Sequence, residues 1–296
     1  MVSVEQLLVQ MLNGLSFGAV LVLSAMGLTI IFGLLGVVNF AHGAFYGLGA
    51  YVGLSMITSI SPDLGFYVAL IVVPLAVGLA GAAIEMSVIR PLYDRDLIYS
   101  LLLTFGVMLV MNEMVRLIWG AGGRSFNRPS GLDFTVSLVV IDYPVYRLFV
   151  IAMTGLIALS IWLFLQRTDI GMTLRAATEN RDMVKSLGIN ITIIFTLVFG
   201  IGTAIAGLAG VLHAPMVSVY PEMGTPIIVQ SFVVVVIGGL NSFRGSIVAG
   251  LLVGEASALS YLIWPPMTDV VIFLVMAVFL IIRPQGIFGQ SMGGLE

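Results

Sequence analysis

No cysteine occurs in the 296 residues, so disulfides, thiolate metal sites and cysteine nucleophiles are excluded together. Charge is scarce as well. Only 9% of residues are Asp, Glu, Lys or Arg, and Lys185 is the sole lysine. A phosphate-binding loop of the form G-x-x-x-x-G-K-[ST] is therefore missing, and any ATP that drives this protein is expected to be bound by another chain. Neither a Ser/His/Asp grouping nor an H-E-x-x-H run is visible, which leaves no constellation for an intramembrane enzyme. His42 and His213 lie far apart without an acidic ligand pattern beside either, so no metal site is expected, and a backbone carbonyl is the simplest partner for each. No resident cofactor and no nucleic-acid partner are expected.

What is there is apolar. Hydrophobic residues make up 59% of the chain and its mean hydropathy is +1.14. Runs near the roughly 20 residues a spanning helix needs recur throughout, which predicts an all-α polytopic transmembrane bundle in the lipid bilayer. Eight or nine spans are expected within one domain covering 1–296, at about 7–31, 40–58, 66–88, 97–119, 147–166, 191–211, 227–240, 246–264 and 268–283. The run 227–240 is short for a full crossing and reads as a possible half-helix. Met1–Gln10 holds no basic residue, so the first run is read as a retained span and not a cleaved signal. Basic side chains collect in short cytoplasmic loops. Eight of the 12 fall on one side when Arg90, Arg95, Arg167, Arg175, Arg181, Lys185, Arg244 and Arg283 are put inside, which leaves the N-terminus outside.

Two polar breaks interrupt this apolar text. Gly36–Gly43 (GVVNFAHG) and Gly238–Gly245 (GGLNSFRG) share the spacing Gly, two residues, Asn, three residues, Gly. Backbone freed at membrane depth must be satisfied inside protein or along a wet cavity, so Asn39, His42 and Asn241 become candidates for a translocation path. Six spans apart, the breaks lie on one side of the membrane, which fits a parallel relationship or a shared local packing demand.

The stretch 167–190 carries the densest charge. Met172, Ala176, Ala177, Met183, Val184 and Leu187 recur at helical spacing among Arg175, Glu179, Arg181, Asp182 and Lys185, predicting one or two short amphipathic helices on the cytoplasmic face, bracketed by Gly171 and Gly188. The mixed charge signs fit docking to a protein partner better than rest on headgroups, with a solvated loop as the bland alternative. Within the spans, Glu85 is expected to pair with Arg90 and Glu113 with Arg116. Glu255 sits alone inside the eighth span and is read either as part of a path or gate or as a buried structural bond.

Together, 37–51 (VVNFAHGAFYGLGAY), 84–92 (IEMSVIRPL), 171–190 (GMTLRAATENRDMVKSLGIN), 209–212 (AGVL), 236–245 (VIGGLNSFRG) and 283–289 (RPQGIFG) resemble the membrane permeases of bacterial ABC importers for branched-chain amino acids, in particular the shorter, H-type subunit. Importers of urea and short-chain amides use closely similar permeases. The resemblance implies an inner-membrane translocation subunit that pairs with a second permease, two ATPase subunits that bind the ATP, and an extracytoplasmic substrate-binding protein. It also implies that 171–190 is the coupling region, with Arg175, Glu179, Arg181 and Asp182 at the ATPase. Asn241 and Arg244 stand where smaller or less polar residues are usual, and Ala44 where an acid is frequent. A stand-alone channel or ion-coupled carrier is the competing class; the lack of a ladder of buried acids speaks against ion coupling.

Overall fold

A computed structural model describes residues 3–93, 95–138 and 140–289. Its first half contains α1 (Val4–Leu35), α2 (Ala41–Ser59), α3 (Pro62–Ile84), α4 (Leu97–Trp119) and α5 (Val145–Arg167). Two short helices, α6 (Asp169–Glu179) and α7 (Arg181–Ser186), precede α8 (Ile191–His213), α9 (Gly224–Gly238), α10 (Phe243–Ile263) and α11 (Thr268–Ile282). Starts are set by side-chain caps. Ser3, Ser61, Thr168, Asn180, Asn190 and Ser242 each accept a hydrogen bond from a first-turn N–H, and Pro62 supplies the pre-set φ of the first position in α3.

Among the described residues seven helices are long and apolar enough to cross a membrane, α4 over the same 97–119 that the sequence predicts. The other two expected spans differ. The 19 residues of α2 are less apolar, because His42, Tyr46 and Tyr51 lie on it and are buried within the bundle. The 15 residues of α9 reach roughly 22 Å at 1.5 Å per residue, short of a hydrocarbon core of about 30 Å. Both are embedded helices that begin inside the bundle.

Glycine decides which helices meet. Along the antiparallel α1–α10 seam a Cβ at Gly250 would lie 2.6 Å from Val22 Cγ2, and one at Gly14 would lie 2.9 Å from Glu255 Cα, while Thr29 and Ser246 hydroxyls bond at 2.7 Å. The α3–α8 seam is also antiparallel: Gly81 faces Thr203 and Gly207 packs at 2.9 Å from Val77 Cβ. Small residues at such contacts let backbones approach closely where lipid offers no hydrophobic drive for association. α1 and α8 themselves run antiparallel, with Phe17 beside His213 at one end and Ile31 against Gly202 towards the other.

These pairings repeat. α1 lies on α10 as α8 lies on α3, and α1 flanks α9 as α8 flanks α2, so α1–α4 and α8–α11 form two halves of opposite sense. The counterpart of the Gly36–Phe40 turn is thus the stretch 214–223 leading into α9, and not the second break. The two breaks share a side, as expected, but only a local demand: Gly36 (φ 66°) and Gly239 (φ 102°) each end a helix with a left-handed residue. After α1 the chain turns back into the bundle, and Phe40 N–H and Val38 O share the Thr104 hydroxyl two turns into α4. The second break is a tight exposed turn in which Gly245 packs on Gly238, and Ile287 N–H ties the C-terminal stretch to Ile237 O at 2.8 Å.

On the side where α1 begins, which the count of basic residues puts outside, β1 (Arg124–Ser125) pairs with β4 (Ser218–Val219), and β2 (Thr135–Leu138) with β3 (Ile141–Pro144). Arg116 meets Glu113 at 3.4 Å as expected, and in addition pairs more closely with Glu222 of the 214–223 stretch.

Candidate functional site

The N-terminal ends of α2 and α9 cross in the interior. A Cβ at Gly43 would lie 2.9 Å from Ile228 Cβ, and the two backbones touch through Gly43 and Gly224. His42 follows directly from this crossing. Its Nε2–H donates to Ser24 O at 2.9 Å, so Nδ1 is left as the acceptor, and no partner reaches it among the described residues. Asn39, fully buried like His42, has neither its amide oxygen nor its nitrogen paired. Ser24 and Ser231 hydroxyls bond at 2.8 Å on the adjoining face. A donor, two acceptors and two helix N-termini thus lie in one part of an apolar bundle.

The other two candidates lie apart from it. Asn241 is exposed at the inner turn, with its Oδ1 3.6 Å from where a Cβ of Gly33 would stand. Glu255 lies against Gly14 towards the outer end of the α1–α10 seam, and its Oε2 is buried without a hydrogen-bond partner among the described residues. A second polar group surrounds that end: Asn13 Oδ1 accepts from Arg147 and, at 3.2 Å, from Tyr143. His213 has Tyr46 as its partner, a side chain in place of the expected carbonyl.

At the opposite face, where the periodicity predicts one or two short helices, there are two, α6 and α7, joined at Asn180, which ends one and caps the other. Gly171 does not bracket the unit. It sits in the first turn of α6, where a Cβ would meet Leu165 at 2.6 Å, and the cap is Thr168, whose hydroxyl accepts from Gly171 N–H at 3.0 Å. The apolar positions split into two faces. Leu174, Ala177 and Val184 are buried against the bundle, whereas Met172, Ala176, Met183 and Leu187 are exposed. Arg175, bonded to Gln166, and the exposed Glu179, Asp182 and Lys185 make no ion pair among the described residues.

The family of branched-chain amino acid transport system permease components matches residues 10–280. The chain belongs to this family. It is 31% identical over 297 residues to the high-affinity branched-chain amino acid transport system permease protein BraD of Pseudomonas aeruginosa, with 95% of each chain covered. LivH of Escherichia coli K12, another such permease, is 30% identical over 303 residues at the same coverage. LivM of Salmonella typhimurium is 28% identical over 255 residues, which span 78% of this permease and 59% of LivM.

The permease is a multi-pass membrane protein, and the sequence points to Asn39 and His42 but misses their setting. Ser24, Thr104, Ser231 and Gly224 carry no signal of their own. A serine or glycine in an apolar helix reads as packing, and only the fold brings these four to the first break.

Proposed function

We propose that this permease lines, with a second permease subunit, the translocation path of an ATP-driven importer for branched-chain amino acids in the bacterial inner membrane. In this reading two ATPase subunits drive the permease pair, one of them docking on α6 and α7, and an extracytoplasmic binding protein delivers the substrate. The observation that carries it is the second apolar face of 171–190: Met172, Ala176, Met183 and Leu187 lie exposed among charges that have no ion-pair partner within the described residues. A helix pair that already buries one face and still presents another fits a protein groove. ATP is bound by the ATPases in this reading.

For the substrate, Asn39 and His42 offer complementary chemistry: an amide N–H for a carboxylate, and amide oxygen and Nδ1 as acceptors for an ammonium. The apolar helices around them suit an aliphatic side chain. Asn241 and Glu255 stand at the inner and outer ends of the α1–α10 seam, where they flank entry and exit. Selectivity then rests mainly with the binding protein.

Replacing Arg175 and Glu179 together by alanine in the reconstituted complex should lower uptake and binding-protein-stimulated ATP hydrolysis by roughly tenfold, the scale of a 1–2 kcal/mol coupling free energy. Full stimulation with normal uptake would remove α6 and α7 from the coupling role. A separate test addresses the path. Asn39→Leu removes two unpaired buried polar atoms, so the unfolding free energy should rise by about 1–3 kcal/mol while uptake falls. A variant that is more stable and still transports at the wild-type rate takes Asn39 out of the path.

A further inference from the structure

Among the charges of 171–190, Arg181 behaves differently. Exposed as a whole like its neighbours, it nevertheless reaches the bundle with its guanidinium, which donates to Leu34 O, one of the last carbonyls of α1. It also stacks over Phe195 of α8, with Cζ 5.3 Å from the ring centroid. The last turn of α1 contains no basic residue, and the adjoining Phe32 O is already taken by Gly36 N–H at 2.8 Å. Arg181 therefore supplies, from far along the chain, the cation that the C-terminal end of a 32-residue helix favours.

The contact extends in two directions. Phe195 meets Tyr93 edge-on at 5.1 Å, and Tyr93 donates to the buried Glu85, which joins Arg181 to the inner ends of α3 and α8. Leu34 lies two residues before the left-handed Gly36, from which the non-helical residues 37–39 lead to Phe40 and the Thr104 hydroxyl. Meanwhile α7 is lightly held: of its six residues only Val184 is buried. A displacement of α7 has few routes into the bundle, and Arg181 is the polar one.

We infer that Arg181 is the positioning residue that carries movement of α6 and α7 to the Gly36–Phe40 turn, and through it to Asn39 and His42. Arg181 thus faces the permease body and not the ATPase. The inference rests on α6 and α7 being the ATPase-docking segment. When that segment shifts, the guanidinium draws on the end of α1, and the turn leading into α2 moves with it. Lysine is a poor substitute, since it keeps the charge but loses the planar face that stacks on Phe195.

The test uses the whole reconstituted complex with Arg181→Ala, Arg181→Gln and Arg181→Lys. Three quantities are read: ATPase retained on gel filtration, ATP hydrolysed, and substrate carried per ATP. Arg181→Ala should retain the ATPase in wild-type ratio and go on hydrolysing ATP, while substrate carried per ATP falls roughly tenfold; Lys should restore part of that loss. An unchanged ratio of transport to hydrolysis overturns the inference. So does loss of the ATPase from the Ala complex alone, which would put Arg181 on the docking surface. If Arg181→Ala fails to accumulate, Arg181→Gln is judged on the same ratio. A wild-type complex with its ATPase seated away from α6 and α7 instead sinks the docking reading, a result visible before any Arg181 variant is made.

Discussion

Alanine at Gly224 should cut uptake by tenfold or more and lower stability by about 1–3 kcal/mol, although it adds one methyl group in a chain rich in them. The methyl group has nowhere to go. It would overlap the backbone of Gly43, and atoms of a main chain in a helix cannot rotate aside as a flexible side chain can. The helices must part, and what parts is the crossing of α2 and α9, beside which Asn39 and His42 lie. Gly43→Ala should act alike, since its methyl group would meet Gly224 O and crowd Ile228. The double variant should cost less than the sum of the two, because the first substitution already opens the gap that the second needs. Gly106→Ala and Gly155→Ala are the controls. Neither new Cβ has an atom within 4 Å, and each glycine stands inside a helix, so these should gain up to about 1 kcal/mol. Melting temperature and uptake measured across the four single variants check the argument. If Gly224→Ala matched Gly155→Ala, close contact at the crossing would not matter.

Much of this architecture was legible from the residues, because hydropathy is a local quantity. The limits of α4, the pairing of Glu85 with Arg90, the short helical make-up of 171–190 and the break after α1 follow from composition and spacing. Depth was not legible. That α2 begins inside the bundle depends on Thr104 and Ser24, which lie on other helices. The inverted relation of α1–α4 to α8–α11 was hidden for a related reason: its second turn, 214–223, shares no motif with Gly36–Gly43, while the similar Gly238–Gly245 belongs to a different connection. Repetition here lies in which helices touch, and helix contacts in a membrane depend on small residues that look alike anywhere in the sequence.

The candidate site divides in the same way. Asn39 and His42 stood out as polar residues in an apolar text, and the fold shows them buried with unpaired atoms. Arg181 looked equivalent to its charged neighbours, because one helical turn of sequence does not tell which guanidinium finds a carbonyl on α1.

Removing Arg90 should destabilise the permease more than neutralising its partner does. Glu85 is fully buried, whereas the Arg90 side chain is 34% exposed, so the two are not equivalent when left alone. They meet because the backbone changes pitch. Residues five apart point to different sides of an α-helix, but the π turn at Glu85–Ile89 widens the helix and aligns them, giving bonds of 3.0 and 3.2 Å. Thr196 and Tyr93 each donate to the same carboxylate at 2.7 Å. Burial, and next the bond to Glu85, hold the Tyr93 phenol far above its usual range, so it remains a donor. Arg90→Ala strands a buried carboxylate with two neutral donors. Glu85→Gln leaves a cation able to reach water and keeps most of the hydrogen bonds, so about 1–3 kcal/mol is expected. The order of melting temperatures, wild type above Glu85→Gln above Arg90→Ala, is the critical readout. A reversed order would mean that the carboxylate is not shielded from water as the bundle places it, and the inner ends of α3 and α8 would have to be packed less tightly than their shared network requires.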